Sequence, residues 1–184
     1  MIIAGVDEAG RGPLAGPVVC AAVILPDNFS HPLIQDSKKL SSKKREEAFE
    51  IIKENALRWF IVSVGHKRID QINILQASLW GMAYAAHKIK PDKILVDGNK
   101  KIPTLLPQEA IIGGDAKYQA ISAASILAKV YRDKLMRDLD LKYPGYEFSR
   151  HAGYPTAFHR EKVRTLGACK VHRTTFLKNI LATF

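Results

Sequence analysis

Apolar residues along this chain gather into short runs whose spacing switches between that of strands and that of helices. Ile2 to Asp7 is a brief apolar run that stops in acid, and Pro17 to Leu25 is a β-branched run bounded by Gly16 and Pro26, so both predict strands. Ser41 or Ser42 is placed to cap a helix that runs through Ala48, Ile51 and Ile52, with Lys and Glu on its other face. Arg58 to Gly65 alternates and predicts a third strand. From Asp70 onward, Ile72, Leu75, Leu79, Met82 and Ala86 fall at helical steps, which predicts one amphipathic helix closed by Pro91. Lys93 to Asp97 and Ala110 to Ile112 predict two more strands, the second after a Pro103 to Pro107 loop, and each ends near an aspartate. Tyr118 to Tyr143 predicts a long helix with apolar positions Ala124, Ala128, Tyr131, Leu135 and Leu139. Its start, Ser122-Ala123-Ala124-Ser125, is made of small residues that let a helix lie close to a sheet or a ligand. A loop from Gly145 to Pro155, a helix from near Thr156 to Gly167 and a short last helix with Phe176, Ile180 and Leu181 complete the pattern.

This order makes the early strands antiparallel neighbours, while helical crossovers set the later strands parallel to the first. The expected architecture is α/β, with a mixed sheet. A chain of 184 residues with 47% apolar residues is the size of one domain, expected to span 1–184 with a helical C-terminal part from about 143. The N-terminal run lacks the basic start and cleavage site of a secretion signal, and no stretch nears the roughly 20 apolar residues of a membrane span. Two distant cysteines, Cys20 and Cys169, fit a reducing cytoplasm. A net charge of +10 favours a polyanionic partner.

The chemistry concentrates at strand ends. Asp7-Glu8-Ala9-Gly10-Arg11-Gly12-Pro13 places two adjacent carboxylates, a glycine pair and a guanidinium in a single turn. Adjacent strand residues face opposite ways, so both acids serve one site only if the chain turns at Glu8. Gly10 and Gly12 expose N–H groups to a phosphate or sugar, with Arg11 beside them. Asp97 precedes Gly98 at the end of a strand expected to run beside the first, and Asp115 follows Gly113-Gly114 in the same way. Carboxylates about 4 Å apart repel by roughly 4 kcal/mol at an effective dielectric of 20, so such a cluster calls for a divalent ion, and all-oxygen donors favour Mg²⁺ or Mn²⁺. Asp115 has a second reading as a helix N-cap. Asp133 competes as the fourth acid, or else forms a surface pair with Arg137.

The runs Val6 to Pro17, Asp36-Ser37-Lys38-Lys39-Leu40, Val96-Asp97-Gly98-Asn99, Gly114-Asp115 with Ile121 to Lys129, and Gly153-Tyr154-Pro155-Thr156 together resemble ribonuclease HII, the type-2 ribonuclease H family. The resemblance implies a ribonuclease H-like fold, with a mixed five-stranded sheet flanked by helices and a helical C-terminal extension. It implies a monomeric endonuclease that hydrolyses the RNA strand of RNA-DNA hybrids and cuts 5' of ribonucleotides embedded in duplex DNA. Two metal ions held by Asp7, Glu8, Asp97 and Asp115 would leave 5'-phosphate and 3'-hydroxyl ends. Gly10, Arg11 and Gly12 would read the 2'-hydroxyl and phosphate, and Tyr154 would pack on the next sugar. Tyr154 has a second reading as an anchor for the final helices. Lys38, Lys39, Lys43, Lys44 and Arg45 form the densest basic cluster, expected along the duplex backbone, with a solvated helix start as an equal second reading of the last three. Lys117 is expected at a phosphate, and Lys129 in helix packing. A catalytic strand starting at Ile2 argues against the related ribonuclease HIII type, which carries an extra N-terminal domain. Two other readings remain open on the residues alone: a non-catalytic RNA-binding module, and a phosphate-cradling nucleotide binder, although the latter lacks a Gly-Lys-Ser/Thr loop.

Overall fold

The structure is a computed structural model that describes residues 1–34 and 39–181. Asp36, Ser37 and Lys38 lie outside the described residues. Five strands, β1 (Ile3–Ala9), β2 (Val18–Ile24), β3 (Arg58–Val64), β4 (Lys93–Asp97) and β5 (Gln108–Ile111), form one sheet in the order β3-β2-β1-β4-β5. β1, β2 and β3 pair antiparallel, and β4 and β5 continue parallel to β1. This is the mixed five-stranded sheet that the strand pattern and the family resemblance called for. Every residue of β2 is buried, which explains its unbroken apolar run: it is covered on both faces.

Helix α1 (Ser42–Asn55) and the long α4 (Gln119–Lys142) cover one face through Ala48, Ile52, Ala124 and Ala128, while α3 (Ile74–Ile89) covers the other through Ala77, Met82 and Ala86. Glycine permits the closest approaches. A Cβ on Gly5 of β1 would sit 2.2 Å from the carbonyl carbon of Ala120, and one on Gly81 would sit 2.6 Å from Cys20 Sγ. The first turns of α4 are therefore pressed directly onto β1, the strand that carries Asp7 and Glu8.

Three local expectations need correction. The helix expected from Asp70 is broken: α2 (His66–Ile72) ends at Asn73, whose positive φ of 66° separates it from α3, and the Asn73 side chain caps α3 by accepting from Gln76 N–H. Asparagine tolerates that conformation, so the helical spacing ran across a real break. The Gly145 to Pro155 segment contains a 3₁₀ turn (Pro144–Tyr146) and a short helix, α5 (Phe148–His151), packed on Met136 and Ala15. Within α4, Tyr131 is exposed, and the buried row Ala124, Ala128, Arg132, Met136 steps by four. Beyond it, α6 (Ala157–Leu166) is capped by the Thr156 side chain and ends at Gly167, as its sequence predicts. A 3₁₀ turn (Thr174–Phe176) and α7 (Lys178–Leu181) pack on α6 through Val163, Leu177 and Ile180.

Candidate active site

Strand register brings the first two acids together. β1 and β4 run parallel with Val6 opposite Val96, so Asp7 and Asp97 come next on neighbouring strands and share the face covered by α4. Both line a cleft of about 340 Å³ together with Glu8, Ala9, Gly10, Arg11, Gly12, Arg45, Ser125, Lys129 and Tyr154. The chain does not turn at Glu8. β1 continues through Ala9, Glu8 lies opposite Cys20, and the turn comes at Gly10, whose φ is +98°. Glu8 nevertheless reaches the cleft, with Arg11 Nη1 at 3.6 Å from its Oε1.

Asp115 is placed differently. β5 ends at Ile111, and Asp115 sits in a 3₁₀ turn (Gly114–Ala116), buried and outside the cleft lining. It is not the N-cap of α4, a position held by Tyr118. Its main-chain oxygen accepts from the Ser122 hydroxyl, and the preceding Gly114 N–H donates to Asp97 Oδ1 at 2.7 Å. The turn thus ties the Asp115 segment to Asp97. Asp133 is not paired with Arg137: Lys129 Nζ is 2.7 Å and Arg45 Nη1 3.6 Å from its carboxylate, while Arg137 pairs with Glu46.

Burial holds the Asp7 carboxyl well above the usual carboxylate range, and the neighbouring charges of Glu8 and Asp97 push it further up. Bonds from Ser125 and from the Glu8 N–H, 2.7 Å from Asp7 Oδ1, only partly oppose this. Burial also raises Glu8; Arg11 works against that rise and Asp97 adds to it. A divalent cation would relieve this repulsion, and the donors are all hard oxygens. Among the described residues no group of three or more acid, histidine or cysteine side chains is arranged to hold a metal ion by itself.

Two buried arginines, which the sequence pattern did not single out, shape the glycine turn. Arg132 Nε, Nη1 and Nη2 donate to the carbonyls of Pro17 (2.9 Å), Ala152 (2.9 Å) and Ala15 (3.2 Å). Arg173 Nε, Nη1 and Nη2 donate to those of Gly16 (3.0 Å), Arg11 (2.9 Å) and Gly10 (2.6 Å). In a trans peptide the C=O and N–H point opposite ways. Drawing the Gly10 and Arg11 carbonyls onto Arg173 therefore turns the Arg11 and Gly12 N–H groups away from it, in a segment that lines the cleft. A Cβ on Gly10 would lie 2.0 Å from Arg132 Nε, so only glycine fits there. Burial, with Arg132 nearby, pushes Arg173 down to about 9, which still leaves it charged at neutral pH. Arg132 had one signal in the sequence: a cation at helical spacing between buried Ala128 and Met136.

The Tyr154 ring is partly exposed over this turn, near Gly12, with Lys129 Nζ and the Arg132 guanidinium 5.9 and 5.6 Å from its centroid. Lys129 and Arg45 belong to the cleft wall, which corrects the packing role expected of Lys129. Lys117 and Lys39 do not line the cleft. Lys117 Nζ donates to the Ile112 carbonyl at 2.8 Å, and Lys39 is exposed.

A family model described as ribonuclease HII matches residues 4–179. The chain is 55% identical to ribonuclease HII of Endomicrobium trichonymphae over 95% of its own length and 84% of that protein. It is 52% identical to ribonuclease HII of Acinetobacter baylyi over 95% and 94% of the two chains. Among solved structures, ribonuclease H2 from Pyrococcus horikoshii OT3 superposes with a TM-score of 0.81 at 30% identity, covering 99% of this chain and 98% of that one. A ribonuclease HII from Archaeoglobus fulgidus, solved in complex with PCNA, gives 0.78 at 29% identity over 94% of each chain.

Proposed function

Because the chain belongs to the ribonuclease HII family and is thereby a metal-dependent endoribonuclease acting on RNA-DNA hybrids, we propose that it also cuts 5' of single ribonucleotides embedded in duplex DNA. The observation that carries this reading is the juxtaposition, in one cleft, of the Asp7–Asp97 acid pair and the Gly10-Arg11-Gly12 turn. One element can handle the scissile phosphate, and the other can test for a 2'-hydroxyl.

Asp7, Glu8 and Asp97, with Asp115 beside them, would hold Mg²⁺ or Mn²⁺. Two ions bound there would supply an ionised attacking water and neutralise charge on the leaving 3'-oxygen. The protein's own groups do the rest. The outward N–H groups of Arg11 and Gly12 offer donors to the 2'-hydroxyl and the adjacent phosphate, and the 2'-hydroxyl is the feature that distinguishes RNA from DNA. Arg11 partly offsets the burial that raises Glu8 and remains half exposed for a phosphate contact. Tyr154 offers an aromatic face to the following sugar. Lys129 and Arg45 add positive charge along the wall, the electrostatic footprint of a nucleic-acid backbone.

The test uses three labelled duplexes: an RNA-DNA hybrid, DNA with one ribonucleotide, and all-DNA, each with Mg²⁺ or Mn²⁺. The expected result is cleavage of the first two, with 5'-phosphate and 3'-hydroxyl ends, and none of the third. Hybrid cleavage without any cut at the single ribonucleotide would refute the junction activity. Binding of all three without cutting would favour a non-catalytic module.

A further inference from the structure

A hydrogen-bonded histidine pair, His159 and His172, with His151 stacked on it, has no role in the proposed reaction. His159 and His172 are buried, at 0% and 1% exposure. His159 Nδ1 is 3.0 Å from the main-chain oxygen of Tyr154, and its Nε2 is 3.1 Å from His172 Nε2. The Cys169 N–H donates to His172 Nδ1 at 3.0 Å, with Cys169 Sγ at 3.2 Å. His151 stacks on His159 with centroids 4.2 Å apart, accepts from the Gly153 N–H at Nδ1 (3.1 Å) and meets the Tyr146 carbonyl at Nε2 (2.9 Å).

One set of tautomers satisfies these contacts. A carbonyl oxygen only accepts, so His159 Nδ1 carries the proton and its Nε2 is a lone pair. His172 Nδ1 accepts from Cys169, so its proton is on Nε2 and points at the His159 lone pair. By the same reasoning His151 is protonated on Nε2. A second proton on His159 or His172 would set N–H against N–H somewhere among these contacts. The Tyr154 oxygen also accepts from the Thr156 N–H at 2.8 Å, so both its lone pairs are used. On the other side, the Gly153 carbonyl accepts from the Leu14 N–H at 2.8 Å, which joins this turn to the loop that follows Gly12.

We propose that His159, with its tautomer set by His172, is a positioning residue that holds the Tyr154 turn at the mouth of the cleft. Its effect on cleavage rests on the reading of Tyr154 as a substrate contact. Burial keeps both imidazoles neutral, each pushed down to about 4. The groups facing them are His151, Phe148, Tyr146, Cys169 and, at longer range, His66.

The tautomers suggest the variants. His159→Asn keeps an N–H donor near the Nδ1 position, whereas His159→Leu has none. On the single-ribonucleotide duplex, His159→Leu should lower kcat/KM about tenfold or more, mainly through KM, because a misplaced contact group is costly even far from the bond that breaks. His159→Asn should recover most of that loss. In a Tyr154→Ala background, His159→Leu should add less than about twofold, as expected for two residues acting through one contact. Equal damage by Asn and Leu, or additive effects, would overturn the proposal. Should His159→Leu fail to fold, His172→Asn removes the Nε2–H donor and should reproduce the loss. Imidazole ¹H–¹⁵N spectra of the wild-type chain provide a readout independent of activity. Protons on His159 Nδ1 and His172 Nε2 at neutral pH support the proposal, and the opposite tautomers refute it. If Tyr154→Ala cuts normally while the tautomers are as expected, the reading of Tyr154 falls and the positioning of its turn stands.

Discussion

Replacing Arg173 with methionine separates loop geometry from overall stability. The guanidinium is fully buried and donates to three main-chain carbonyls, those of Gly10, Arg11 and Gly16. Each carbonyl left without a donor costs about 1–3 kcal/mol. Against this, methionine fills similar space and avoids the desolvation of a buried cation, an offset of several kcal/mol. The net loss of stability should therefore be about 2–4 kcal/mol, readable by urea denaturation with an unchanged slope. Activity should suffer more than stability. Without the two bonds on Gly10 and Arg11, nothing compels the Arg11 and Gly12 N–H groups to face the cleft, and kcat/KM of the fully folded variant should fall by about tenfold to a hundredfold. Arg173→Lys should not rescue it, because one ammonium nitrogen cannot span three carbonyls that a planar fork reaches. The assay is cleavage at a temperature well below the variant's Tm. Wild-type kcat/KM in a destabilised but folded Arg173→Met protein would reduce Arg173 to a packing residue.

Three further outcomes are expected. Asp7→Asn should stabilise the metal-free protein at neutral pH while abolishing cleavage. The folded Asp7 carboxyl is raised, so its contribution is intact at low pH and is lost as pH rises through that raised value; removing the charge should raise the Tm in EDTA. Gly10→Ala should be destabilised by about 2–4 kcal/mol and inactive, since it combines a positive φ with a 2.0 Å approach to Arg132, and thermal melting with a cleavage assay checks both. His159 and His172 are each lowered from 6.5 to about 4, so stability should be full above pH 6.5 and fall by about 3 kcal/mol per histidine as pH drops toward 4; His159→Asn should remove its share and flatten that part of the denaturation-versus-pH curve.

Local chemistry made the elements around the acids legible. Lys93–Asp97 has the predicted bounds, the small-residue start of α4 foretold the close approach at Gly5, and Thr156 and Gly167 bracket α6 as a cap and a stop. The acid cleft followed from parallel strands ending in aspartate, apart from Asp115, which a further turn carries past the rim. Asn73 was hidden because helical spacing continues across it, since a cap keeps α2 and α3 facing one core. Arg173, and Arg132 apart from its helical spacing, were illegible for a different reason. Their partners lie more than a hundred residues away in most cases and are main-chain carbonyls, which leave no side-chain signature. The tie between His159 and Tyr154 is local, but its tautomer depends on His172, thirteen residues on, across the end of α6.

Asp7 and Asp97 are proposed to make the cleft a metal-dependent cutting site for ribonucleotides. The measurement that bears on this most directly is cleavage of a DNA duplex carrying one ribonucleotide by wild type and by Asp97→Asn, with Mg²⁺, with Mn²⁺ and with EDTA, alongside binding of the same duplex. The expected result is a single cut 5' of the ribonucleotide that EDTA abolishes, together with an Asp97→Asn protein that binds the duplex at least as well as wild type and does not cut it. Undiminished, metal-dependent cutting by Asp97→Asn, or cutting that persists in EDTA, would contradict it.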